Sequence, residues 1–377
     1  VLPYLEVFLA TAGTVFVVTP LVRRLARRVG AVVQPSDRMV HPGPIPTLGG
    51  LAMVAGILAG VLVAYATPGL RRIFRSSEIQ GVVTAGLVIA AIGVVDDMRT
   101  LSAPAKVAGQ VLAAGVLVLS GVALLSFYFP TQGTVLLGSD LAVPLTIAYV
   151  LVVVNAVNLV DGLDGLAAGI VVIAAGAFFI YAYNTPPLVG EAASTAPLVS
   201  ALAAGAAAGF LPHNFHPAKI IMGDTGSMLL GLLLAAATIT GVGHTAEVST
   251  VGFTGHDAAA FMLPVLIPVL VLAVPLMDVL LAVVRRLRRH RRWYAPDKEH
   301  IHHQLLEIGH THRQAVLLMY LWSAVVAGAT LAITYARNRA TVAFVIAFAV
   351  LVIAVTVIPR VVRAVRKGHA EAQAEGA

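Results

Sequence analysis

The sequence predicts an all-α, polytopic integral membrane protein of about eleven transmembrane helices, with its N-terminus outside and its C-terminus in the cytoplasm. Three observations carry that reading. Of 377 residues, 59% are hydrophobic and only 11% charged, and the mean hydropathy of +0.91 exceeds what the surface of a soluble domain tolerates. The apolar residues fall into separate runs of about 20 residues, the length of helix that crosses a bilayer core. On the alternating topology those runs impose, 20 of the 25 Lys and Arg residues share one side, the side retained in the cytoplasm. The absence of Cys excludes disulfides, thiolate metal sites and Cys nucleophiles, so any chemistry must use carboxylates, imidazoles, hydroxyls, backbone groups or a bound ion.

The first span, Leu2 to Val22, leads into Arg23, Arg24, Arg27 and Arg28 without a small-residue cleavage site, and reads as a retained helix. Leu48 to Ala66, Gln80 to Val95, Ala105 to Ser126, Leu141 to Leu159 and Leu166 to Asn184 follow, each bounded by charge or by Pro and Gly. Pro197 to Leu211, Met228 to Val242, Ala258 to Val284, Ala315 to Ala336 and Thr341 to Ile358 complete the set. Residues 1–360 form one membrane domain, and the polar tail 361–377 is expected to be disordered in the cytoplasm. Pro264, Pro268 and Pro275 in the ninth span predict a bent helix. The Arg run from Arg285 to Arg292 serves topology and anionic lipid, and no nucleic-acid partner is expected.

On this topology the acids and histidines gather at the cytoplasmic face. Asp96 and Asp97 end the third span side by side, and two neighbouring anions stay ionised only beside a cation; otherwise one becomes a candidate base. Lys106, one turn into the next span, is the nearby cation, able to meet an anionic headgroup or phosphate. Asn155, Asn158, Asp161 and Asp164 crowd the end of the fifth span and the turn after it. So many polar groups at the end of a Val/Leu run need partners, and the two acids could ligate a metal or accept hydrogen bonds from a base or sugar. His213, Asn214 and His216 precede Met222-Gly-Asp-Thr-Gly-Ser227, which places Asp224 at or near a helix N-cap where free N–H groups favour an anion. The longest inner loop carries His300, His302 and His303. That cluster could take zinc, but the carboxylate-rich surroundings without thiolates favour Mg²⁺ or Mn²⁺ elsewhere and leave the imidazoles for phosphate or sugar oxygens.

The ordered set Pro-Ile-Pro-Thr-Leu-Gly-Gly (44–50), Asp96-Asp97, Asn-Leu-Val-Asp-Gly-Leu-Asp-Gly (158–165), Met-Gly-Asp-Thr-Gly-Ser (222–227) and His-Ile-His-His (300–303) resembles the polyprenyl-phosphate N-acetylhexosamine-1-phosphate transferases. The likeness covers about residues 34–312. Asp-Lys-Glu-His-Ile-His-His-Gln-Leu-Leu resembles the WecA/TagO branch, which uses UDP-GlcNAc; the MraY branch, which uses UDP-MurNAc-pentapeptide, has a third His where this chain has Gln304.

The resemblance implies transfer of GlcNAc-1-phosphate from UDP-GlcNAc to a polyprenyl phosphate, undecaprenyl or decaprenyl, with Mg²⁺ (or Mn²⁺) as cofactor. It further implies a place in the plasma membrane with the site facing the cytoplasm, and is compatible with a homodimer. By matching motif, Asp224 resembles the metal ligand, Asp96 and Asp97 the pair at the acceptor phosphate, and His302 and His303 the phosphate and sugar contacts. Asp161 and Asn214 resemble uracil and ribose contacts, with Asn158 and Asp164 completing the nucleotide pocket. Thr47, Lys106, Asn155 and His300 join the substrate-binding set. The bent ninth span would leave a lateral groove for the isoprenoid tail. Two departures are Pro42, where relatives often have Lys, and Ile221, where an aromatic often stacks on uracil. The rival of another class, a secondary transporter, would put its coupling acids near the bilayer midplane and show internal repeats, neither of which this sequence does.

Overall fold

In the computed structural model, residues 1–34, 43–129, 133–184, 195–243, 311–335 and 347 are described. Within them, nine of the expected spans are helices: α1 (Leu2–Arg28), α2 (Gly50–Ala66), α3 (Glu78–Arg99), α4 (Ala103–Leu119), α5 (Ser139–Val160), α6 (Leu166–Asn184), α7 (Thr195–Asn214), α8 (Gly223–Gly243) and α9 (His312–Tyr335). Seven of these are long and apolar enough to cross a membrane; α2 and α4, at 17 residues each, are shorter. The ninth expected span, the eleventh apart from residue 347, the loop with His300, His302 and His303, Pro42, and the tail 361–377 lie outside the described residues.

The bundle is the all-α membrane architecture expected, with two short strand pairs beside the helices. β1 (Val32–Val33) pairs antiparallel with β2 (Ile45–Pro46), and β3 (Ser126–Phe129) with β4 (Gly133–Leu136). The fourth span ends at Leu119 and not at Ser126, because Gly121 takes φ +89° just past the helix and lets the Gly121 and Val122 N–H groups close on Val118 O and Leu117 O. Elsewhere the helices extend past the apolar runs. Asp96 and Asp97 lie inside the last turn of α3, and Asp224 inside the first turn of α8.

The centre of the bundle is the pair α7 and α8, buried almost all round. Around it α1 and α6 pack on α7, α3 and α5 on α8, with α2 touching both. α4 leans on α3 and α5, and α9 on α6. Apolar side chains gain little from one another in lipid, so close backbone approach carries such contacts. Gly205 and Gly209, one turn apart on α7, let α1 in: a Cβ at Gly209 would lie 2.8 Å from Ala12 Cα. From α1 to α8 successive helices run antiparallel, so the C-terminal ends of α1, α3, α5 and α7 share one end of the bundle with the N-terminal ends of α2, α4, α6 and α8, and contacts of His312 with His216 and of Tyr320 with Gly165 put the start of α9 there too. Among the described residues, that end carries most of the polar side chains the sequence singles out.

Candidate active site

The charged centre is built from three helix ends. α3 delivers Asp96, whose Oδ1 accepts the Leu101 N–H at 2.5 Å as the chain turns, fixing the carboxylate. Its Oδ2 lies 2.8 Å from Lys106 Nζ in the first turns of α4, and the same ammonium lies 2.6 Å from Asp224 Oδ2 at the start of α8. Asn158, at the end of α5, donates through Nδ2 to Asp224 Oδ1 and to Ser227 Oγ (2.9 Å). Asp96 is buried, whereas the Asp224 side chain keeps 27% exposure and opens the cluster to solute.

Asp97, adjacent in sequence, turns to a different partner. Its Oδ1 accepts the Asp224 N–H at 2.8 Å, and its Oδ2 accepts the Thr225 N–H at 3.2 Å and the Thr225 hydroxyl at 2.6 Å. Thr47 Oγ1 donates to Asp97 Oδ1 at 3.5 Å. Thr47 is buried and arrives on the Pro-x-Pro-Thr-Leu-Gly-Gly segment, which runs as a strap along the start of α8. Ile221 N–H bonds to Pro46 O, Gly49 N–H to Ile221 O, and Gly50 N–H to Met222 O, at 2.9, 3.1 and 2.9 Å.

A second cluster lies where the α5–α6 turn meets the loop after α7. Asp164 Oδ2 sits 2.8 Å from His216 Nδ1 and accepts the Ala218 N–H at 3.0 Å. The buried Asn214 brackets the two loops, its Oδ1 accepting from Gly165 N–H and its Nδ2 donating to Ile220 O, both at 3.0 Å. α9 locks this arrangement: His312 stacks on His216 with centroids 4.2 Å apart, Arg313 Nε donates to His216 O at 3.0 Å, and Tyr320 OH donates to Gly165 O. Asp161 lies between the clusters. Burial pushes its carboxyl well above the usual carboxylate range, and the charges of Asp224, Asp97 and Asp164 push the same way. Four acids in mutual electrostatic reach define a place where positive charge is needed.

Asn155 goes elsewhere. One turn deeper on α5, it trades amide hydrogen bonds with Gln110 of α4 (2.7 and 3.3 Å) and donates to Leu151 O, inside the bundle. Gln110, Thr225, His312 and Tyr320 are partners that sequence reasoning missed. Gln110 carried a signal as a lone amide in an apolar span; the others, in a motif or a helix start, carried none that named their partners.

Two donor sets bear on an ion. Asp224 with Asp96 offers hard carboxylate oxygens, and Lys106 stands between them as a cation already accommodated there, so these residues fit Mg²⁺ or Mn²⁺. Asp164, His216 and His312 bring ligand atoms within 4.8 Å of one another. Their imidazoles are nearly parallel (21°), so one ion cannot lie in both ring planes at about 2.0–2.1 Å from each nitrogen without a ring turning. The trio as it stands is a stacked, hydrogen-bonded clamp.

The bundle brings carboxylates, a lysine and amides together at one end, and comparison with known proteins gives its class, a membrane transferase. The family model described as glycosyl transferase family 4 matches residues 79–242. The chain is 44% identical over 365 residues to the decaprenyl-phosphate N-acetylglucosaminephosphotransferase of Mycobacterium leprae, covering 93% of this chain and 89% of that protein. It is 44% identical over 356 residues to the protein of the same name from Mycobacterium tuberculosis, covering 93% and 87%. A phospho-N-acetylmuramoyl-pentapeptide-transferase from Desulforudis audaxviator is 37% identical over 263 residues, but over only 61% of this chain. The chain belongs to the polyprenyl-phosphate N-acetylglucosamine-1-phosphate transferase family.

Proposed function

We propose that the protein transfers GlcNAc-1-phosphate from UDP-GlcNAc to a membrane polyprenyl phosphate, giving polyprenyl-diphosphate-GlcNAc and UMP. The observation that carries this reading is the Asp96–Lys106–Asp224 array, three helices meeting in one ion cluster with Asn158 behind it. In the reaction an oxygen of the lipid phosphate attacks the phosphorus next to the sugar, and the bond from that phosphorus to the bridging oxygen of UMP breaks. The reactants bring several negative charges together, so the work of the site is neutralisation and alignment. Asp224, with Asp96 beside it, would hold a divalent Mg²⁺ or Mn²⁺ ion, which supplies charge neutralisation at the diphosphate when bound. Lys106 offers an ammonium to the phosphates, and Asn158 keeps Asp224 in one orientation.

Asp96 is ill suited to be a base, because one oxygen accepts a backbone N–H and the other an ion pair. A polyprenyl phosphate is already partly dianionic near neutral pH and needs orientation more than deprotonation. Asp161 and the Asp164 loop, beside the ion cluster, line the side on which the nucleotide would lie. The cluster faces the cytoplasm and the N-terminus lies outside, following the basic residues. The described carboxylates lie near helix ends or in turns, which favours an interfacial enzyme over a transporter. The test is metal-dependent UMP release from UDP-GlcNAc in detergent with a short polyprenyl phosphate. No release with any UDP-sugar would refute the reading and return the transporter to consideration.

A further inference from the structure

The first four N–H groups of a helix have no partner within it, and a residue at the helix start commonly supplies an oxygen to them. α8 begins at Gly223 after Met222, a residue with no such oxygen. Its second and third N–H groups, on Asp224 and Thr225, are instead satisfied by the two oxygens of one carboxylate, that of Asp97, about 127 residues earlier in the chain. The Thr225 and Thr47 hydroxyls add two more donors, so Asp97 accepts four hydrogen bonds. An anion is also the group that the helix dipole favours at this end.

The backbone is shaped around this contact. Gly93 lies one turn before Asp97 on α3, and a Cβ there would lie 2.6 Å from Thr225 N and 2.9 Å from Asp224 C. Gly223 has φ +69°, and a Cβ there would meet Asp97 Oδ1 and Thr47 Oγ1, both at 2.5 Å. Any side chain at either place would push α3 and α8 apart and take Asp97 off the helix end.

We propose that Asp97 is a positioning residue which caps α8 from a neighbouring helix and thereby fixes Asp224 where its carboxylate reaches Lys106 and Asn158. The adjacent acids then have separate work: Asp96 belongs to the charged centre, and Asp97, its lone pairs filled by Asp224, Thr225 and Thr47, holds the frame of the ion ligand without touching phosphate or proton. The inference rests on the reading above that Asp224 holds the divalent ion.

The test uses full-length protein in detergent and follows Mn²⁺ binding by the loss of the free-ion EPR signal, beside pH–rate profiles. Asp97→Asn keeps the size but replaces one acceptor oxygen with a donor. It should weaken Mn²⁺ binding about 10- to 100-fold, as loss of a group that orients a metal ligand does, with turnover substantially restored at saturating metal and a pH profile parallel to wild type. Thr225→Val, which removes one donor and leaves the carboxylate, should move the same readouts a few-fold, and it decides the matter if Asp97→Asn does not fold. Unchanged Mn²⁺ binding in these variants would overturn the proposal, and lost turnover of Asp97→Asn that recovers only as pH rises from about 7 to 9 would overturn it by making Asp97 a base. Wild type that turns over without binding Mn²⁺ or Mg²⁺ would overturn the ion-ligand reading of Asp224 first, and this inference with it.

Discussion

Replacing Lys106 by Gln removes the ammonium that touches both Asp96 and Asp224. The two carboxylate oxygens contact one nitrogen at 2.8 and 2.6 Å, so they lie within about 5.5 Å of each other. At that separation and an effective dielectric of about 20, two unit charges repel by about 3 kcal/mol. The 27% exposure of the Asp224 side chain lets water screen part of this, leaving about 2 kcal/mol. Lys106→Gln should therefore lower the unfolding temperature by several degrees in detergent at neutral pH with EDTA. The deficit should shrink when Mg²⁺ is added, because the ion replaces the missing charge, and also below about pH 4, where the acids protonate. Lys106→Arg keeps the charge and should keep most of the stability, but not the turnover, since a planar fork cannot reproduce a point contact to two carboxylates. An unfolding temperature for Lys106→Gln equal to wild type in EDTA at neutral pH would refute the reasoning.

Asp224→Asn should abolish turnover while the protein still folds, because an amide binds a hard divalent ion far more weakly than a carboxylate; near-normal activity at saturating Mg²⁺ would remove Asp224 from the ion site. The raised Asp161 carboxyl carries a signed pH effect: ionising it destabilises the fold, so wild type loses stability as pH rises through and above the ordinary carboxylate range. Asp161→Asn has no such loss, and its unfolding temperature relative to wild type should rise from acid to neutral pH in EDTA; a pH-independent difference would show that Asp161 is not held protonated. Gln110→Leu leaves the half-buried Asn155 amide with only its Leu151 carbonyl as partner and should cost about 1 kcal/mol, most of it recovered in the Gln110→Leu/Asn155→Leu double variant. If Asn155 contacts the nucleotide instead, the double variant, which lacks it, will show a raised KM for UDP-GlcNAc.

The spans were legible because lipid demands continuous apolar helix, and α6 spans Leu166–Asn184 as its hydrophobic run predicts. Legible too was the gathering of acids at one end, since antiparallel helices of similar length return alternate loops to the same side. The partners were not. Adjacent residues on a helix diverge by about 100°, which says that Asp96 and Asp97 face different ways but not that one meets α4 and the other α8. Asn155 and Asn214 look alike as amides near a motif, yet one pairs inside the bundle and the other braces two loops, because the nearest unsatisfied groups decide. The overshoot of the fourth span to Ser126 has another cause: Val122, Ala123, Leu124 and Leu125 read as more apolar helix, although Gly121, at φ +89°, has already turned the chain out of α4. The His216–His312 stack joins residues from distant loops, and no local pattern announces it.

If this ion cluster moves GlcNAc-1-phosphate onto a lipid phosphate, a donor panel on the purified protein will show the transfer itself. With polyprenyl phosphate and Mg²⁺ present, UDP-GlcNAc, UDP-GalNAc and UDP-MurNAc-pentapeptide are offered separately, and both UMP and the lipid-linked product are measured. UMP and lipid-diphosphate-sugar should form in equal amounts from UDP-GlcNAc, and far less of either from the other two. Equal or faster turnover of UDP-MurNAc-pentapeptide, or UMP released without any lipid-linked product, would contradict it.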